Sequence, residues 1–140
     1  MPHLNLQYPA SGAECIDDRM RFRRATLRAV RWYAGVHPWR GTPAARREKL
    51  RMLHRRLCDV YGKTTRLEFH RRHPACYIQA MDCIVLPGVS VVTYLHEFGH
   101  ALGRDERGAC RWSLNLFKRV FPQSFGRCHF EGHMLVRGAG

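Results

Sequence analysis

No two cysteines in this 140-residue chain are spaced as C-x-x-C. Cys15, Cys58, Cys76, Cys83, Cys110 and Cys128 therefore suggest neither a zinc ribbon nor a redox pair. Also missing is any apolar run long enough to cross a bilayer, so no membrane span is expected. The opening MPHLNLQYPASGAEC lacks the apolar stretch of a secretory signal. A cytoplasmic location is the expectation, with the cysteines as thiols and most of them small core residues. Internal repeats and low-complexity segments are absent. Lysine is scarce: only Lys49, Lys63 and Lys118 stand among 24 basic residues, which leaves 21 arginines.

What is present is positive charge, +13 in formal terms against 11 acids. A surface of that sign attracts polyanions, nucleic acid first among them. The arginines are spread along helical segments, without aromatic interleaving or a recognised DNA-binding motif. A nucleic-acid partner and a bias of genome composition both account for them. A chain of this length with 45% hydrophobic residues supports one domain with a modest core.

Residues 1–15 lack periodicity and read as an irregular arm. A helix is expected from Asp17 to Gly35, with acids at its start. A second, from Pro43, has Thr42 as N-cap and Gly62 as its stop. Leu50, Leu53, Leu57 and Tyr61 form its apolar stripe, and His54 reads as a surface residue. Three strands follow: TRLEFH (65–70), ACYIQAM (75–81) and DCIVLPG (82–88), with Asp82 near a tight turn. The expected fold is α+β, with a small, about three-stranded, mostly antiparallel sheet. VSVVTYLHEFGHALG then reads as a helix ending at Gly103, and RDERGACRWSLNLFKRVFP as another, with Asp105 as N-cap. The CHFEGHMLVR segment near the end fits a strand or a short helix. The core is placed at 44–122 within a single domain.

His96, Glu97 and His100 spell H-E-x-x-H on the third helix. Residues four apart lie on one face, one turn above each other, so two imidazoles can hold one Zn²⁺. Glu97 is offset from that face. It can reach a metal-bound water, whose pKa the ion lowers towards about 7, and act as general base. Catalytic zinc usually takes three protein ligands. Gly103 permits a chain reversal that would bring Glu106 back to the histidines. Asp105, His129, Glu131 and His133 are the other candidates, Asp105 being better suited to capping the next helix.

CIVLPGVSVVTYLHEFGHALG resembles the compact zincin metallopeptidases, and ERGACRWSLNLFKRVFP resembles the E-x-x-A segment of gluzincins. ImmA/IrrE-type and M48-type peptidase cores are the nearest comparisons. The resemblance covers about residues 44–122. It implies a zincin-like fold with an active-site helix and a following helix, His96, His100 and Glu106 as zinc ligands, Glu97 as general base, and peptide hydrolysis. Cys110 stands where the family often places an acid after the alanine. H-E-x-x-H-x-x-G-x-x-E also resembles the metzincin layout, with Glu106 at the third-ligand position. The expected substrate is an extended peptide lying beside the DCIVLPG strand, with Tyr77, His129 and His133 as candidate oxyanion donors. The alternative is a basic nucleic-acid-associated protein of a mobile element with a structural or vestigial zinc site, or a regulatory peptidase acting on DNA-bound proteins.

Overall fold

The structure, a computed structural model, describes residues 12–132 and 134–138. The first eleven residues of the expected arm lie outside them; its last four form a short 3₁₀ turn, Gly12–Cys15. The principal elements are helix α1 (Arg24–Gly35), helix α2 (Pro43–Tyr61), strands β1 (Arg66–Phe69), β2 (Cys76–Ile78) and β3 (Cys83–Leu86), helices α3 (Val91–Ala101), α4 (Glu106–Val120) and α5 (Pro122–Gly126), and strands β4 (Cys128–Glu131) and β5 (Met134–Arg137). Among the described residues no helix is long and apolar enough to cross a membrane.

The fold is α+β, as expected, but the three-stranded sheet is mixed. Its order is β1-β3-β2, with β1 parallel and β2 antiparallel to β3. The chain between β1 and β2 carries β2 past the position beside β1, so β3 enters between them. All four β3 residues are buried. Ile84 and Leu86 face the helices and join one core with Val30, Tyr33, Leu50, Leu53, Leu57, Tyr94, Leu95, Phe98, Trp112 and Leu116. Phe98 and Trp112 stack across α3 and α4 at 6.1 Å between ring centres, a contact type that adds about 1 kcal/mol beyond area burial.

Helix α1 begins seven residues later than expected. Asp17 and Asp18 do not sit at its first turn. Asp17 accepts from Arg111 at 3.1 Å and its amide donates to Asn115, while Asp18 pairs with Lys118 at 2.8 Å. These long-range ties to α4 hold residues 16–23 along that helix in place of a helical turn. Helix α2 keeps its expected ends: the Thr42 hydroxyl accepts from the Ala45 amide, and Gly62 adopts φ +63°. His54, read as a surface residue, is buried. Its Nε2 bonds the Thr65 carbonyl at 2.6 Å and its Nδ1 the Tyr94 hydroxyl at 2.7 Å. A carbonyl only accepts, so Nε2 carries the proton and Tyr94 donates to Nδ1 of the neutral ring. Of the two alternatives for CHFEGHMLVR the structure takes the strand, as the β4–β5 hairpin, with the one-turn helix α5 preceding it.

Candidate metal centre

Helix α3 buries Val91, Tyr94, Leu95, Phe98 and Ala101 at helical spacing. That stripe fixes the helix rotation and leaves His96 and His100 on the flank that faces the cleft. After Ala101 the chain stops in a Schellman turn. The Gly103 amide donates to the His100 carbonyl and the Arg104 amide to the Gly99 carbonyl, with Gly103 at φ +90°. Asp105 then caps α4, its carboxylate accepting from the Gly108 amide at 2.7 Å. Glu106, the first residue of α4, is thereby turned back towards α3.

Glu106 Oε1 accepts from Nε2 of His96 at 3.0 Å and from Nε2 of His100 at 2.9 Å. The three side chains are only 20–25% exposed. Nδ1 of His100 donates to the Arg104 carbonyl at 2.9 Å, which orients that ring and directs Nε2 inward. Both Nε2 atoms thus face one carboxylate oxygen, a space that a cation could share with two neutral imidazoles. Ligand atoms about 2.0–2.1 Å from a tetrahedral ion lie about 3.3 Å from each other, and each Nε2 stands near that distance from Glu106 Oε1. Burial works against ionising Glu106. The charges and hydrogen bonds of His96 and His100 together outweigh it and hold the carboxyl below its ordinary value.

Cys110 lies one turn further along α4. His96, Glu106 and Cys110 bring ligand-type atoms within 4.8 Å of one another, so the cluster has donors enough for a metal ion. The Cys110 thiol meets the outer atoms of the other two, Nδ1 of His96 at 3.7 Å and Oε2 of Glu106 at 3.6 Å. Burial, then the Glu106 charge, pushes its pKa up to about 12.

Glu97 is 8% exposed and lines the same cleft. Burial raises its pKa against the opposing charges of His96 and His100, and a main-chain hydrogen bond from Tyr77 also favours the carboxylate. A cavity of about 890 Å³ opens here, lined by Tyr77, His96, Glu97, His100, Arg104 and Glu106 among others. A second, of about 630 Å³, continues on the far side of His96 and Glu97 towards Val92, Leu114, Met134 and Leu135.

No family model matches the chain, and neither curated proteins nor solved structures return a match.

Other expected site residues fall elsewhere. His129 and Glu131 bond each other at 2.8 Å on exposed β4 and line neither cavity. His133 lies outside the described residues. The Tyr77 hydroxyl donates to Asp82 at 2.7 Å; burial and then that contact push its pKa up to about 12. The strand placed beside the substrate is also corrected. β3 is central and paired on both sides, and the edge facing the cleft is β2, where Ala75, Cys76 and Tyr77 border the larger cavity. Lys63, Gln79 and Arg104 border it too. They come from three separate segments, so no local motif marks them.

Proposed function

We propose that this protein is a zinc-dependent metallopeptidase in which His96, His100 and Glu106 hold the ion and Glu97 is the general base. The observation that carries the reading is the meeting of both imidazole Nε2 atoms on one Glu106 oxygen, beside a buried carboxylate in an open cleft. Cys110 is left out of the ligand set because it faces the outward atoms of His96 and Glu106 at longer range. Zinc held there supplies Lewis acidity towards a peptide carbonyl and acidifies a water.

The remaining work belongs to the chain. Glu97, less well solvated than an ordinary carboxylate, is the stronger proton acceptor for it; it takes a proton from the water and returns it to the departing amine. The free edge of β2 offers main-chain groups to an extended substrate, which would lie as an added strand. Val92, Leu114, Met134 and Leu135 favour an apolar side chain on one side of the scissile bond. With its hydroxyl committed to Asp82, Tyr77 is a poor oxyanion donor. Free cysteines at all six positions suit a cytoplasmic setting.

The test is zinc content per chain together with hydrolysis of a peptide library. Glu97→Gln is expected to keep about one zinc and lose hydrolysis by at least about a hundredfold. A Glu97→Gln protein that cuts the same peptides at the wild-type rate would sink the mechanism. A purified wild type that takes up no zinc would sink the metal assignment.

A further inference from the structure

A second charged cavity lies outside the histidine cleft. Arg46, Arg47, Arg51 and Arg71 line one space of about 610 Å³ together with Phe69 and the Pro87–Gly88 turn, and no acid is among its lining residues. Pro43, in the first turn of α2, also borders it, so the positive end of a 19-residue helix adds to the field. Arg51 is partly offset. It pairs with Glu48 at 3.6 Å and its guanidinium lies over Phe69 at 5.0 Å. Among the described residues Arg46, Arg47 and Arg71 enter no ion pair. The Nε of Arg46 is buried with no hydrogen-bond partner.

Arg71 also lines a neighbouring cavity of about 650 Å³, with His70, Arg72 and His73. The one acid there, Glu68, is already shared between Arg66 at 3.5 Å and His70 at 3.0 Å. The two cavities thus form a single ledge, from the start of α2 across the β1–β2 connection to the outer face of the sheet. Guanidiniums gathered without carboxylates repel each other, and a buried, unbonded Nε adds a desolvation cost. An anion with several acceptor oxygens relieves both. Phosphate matches the guanidinium fork, whereas one carboxylate supplies too little charge for the group. The ledge form of the site favours repeated phosphates over a single one. Phe69, the only Phe, Tyr or Trp among the residues lining the ledge, is already covered by Arg51 and so is not free to stack on bases.

We propose that this ledge binds the phosphodiester backbone of nucleic acid without sequence preference, through Arg46, Arg47 and Arg71. The inference stands apart from the metal centre, with which it shares no residue.

The experiment is fluorescence anisotropy of a labelled random-sequence DNA duplex, titrated with the full chain over a range of salt. Arg46→Gln/Arg47→Gln/Arg71→Gln is compared with Arg21→Gln/Arg24→Gln/Arg28→Gln, which removes equal charge from exposed positions near and on α1. Circular dichroism and thermal melts verify that both fold. The ledge variant is expected to lose at least about tenfold in affinity at about 50 mM salt, and its log–log salt slope should shrink by about 3. The α1 variant should stay within about threefold of wild type. Equal losses in the two variants would overturn the ledge in favour of diffuse charge. Absence of duplex binding, or binding only to inorganic phosphate or to phosphoinositide vesicles, would overturn the nucleic-acid assignment. If the ledge variant fails to fold, the single changes Arg47→Gln and Arg71→Gln carry the comparison. Glu97→Gln and His96→Ala should bind like wild type, so failure of the peptidase reading leaves this result legible.

Discussion

Gly99 on α3 meets Ala109 on α4 with no room for a side chain between them: a Cβ on Gly99 would stand 3.1 Å from the Ala109 Cα and 3.2 Å from its Cβ. The obstacle is backbone, which cannot swing aside as a side-chain tip does. This close approach lets Glu106, three residues before Ala109, reach the histidine rings from the neighbouring helix.

Gly99→Val is therefore expected to push α4 away. The cost should be about 1–3 kcal/mol of stability, and metal affinity should fall although no ligand has been removed. Denaturant unfolding and a metal titration measure the two effects. An unchanged metal affinity would show that α4 is not held in place through this contact.

The two readings of the ligand set separate by substitution. His100→Ala and Glu106→Ala should lose most bound metal, while Cys110→Ala keeps it. Asp105→Ala should also keep it, at a cost of about 1 kcal/mol for the lost cap. If Cys110→Ala loses as much metal as His100→Ala, the thiol belongs to the ligand set beside His100; if His100→Ala keeps its metal while Cys110→Ala loses it, the thiol replaces His100.

Glu97 makes a prediction about stability in the metal-free protein. Burial raises its pKa, so the folded state binds its proton more tightly than the unfolded chain does. Stability is then lost as pH rises from about 4.5 through the folded pKa. Glu97→Gln does not titrate, so its melting temperature should exceed that of wild type near neutral pH and the gap should close in acid. A metal-free Glu97→Gln protein that melts below wild type at neutral pH would contradict this.

His54 has the opposite pH signature. Burial lowers its pKa, ahead of the opposing hydrogen bond to the Thr65 carbonyl. Below about pH 6.5 the unfolded chain takes up a proton that the folded chain refuses, so stability falls with pH from there down to the folded pKa. His54→Leu should be less stable at neutral pH by about 1–3 kcal/mol, because the Tyr94 hydroxyl and Thr65 carbonyl lose their partner. It should also lose less stability than wild type between about pH 7 and pH 5.5. Parallel pH curves for the two proteins would remove His54 as the group responsible.

Local interactions are legible in the sequence, and they determined much of this protein by themselves. Thr42, Gly62 and Asp105 set helix ends through contacts within a few residues, as their hydrogen bonds and backbone angles bear out. The four-residue spacing of His96 and His100 puts both on one face of a single helix, because helical geometry alone requires it. The turn at Gly103 belongs to this class, since no common residue other than glycine adopts φ +90° without strain. Only tertiary structure decided what depends on segments far apart in the chain. Asp17 binds Arg111 instead of starting a helix. His54 turns inward because Thr65 and Tyr94 satisfy it, and no periodicity reports such partners. β3 occupies the centre of the sheet because β1 and β2 both pair with it, which leaves β2 as the edge over the cleft. The approach of Glu106 to the two rings depends on Gly99 lying against Ala109. A one-dimensional pattern carries the reach of a turn or a cap, but not the distance between two helices.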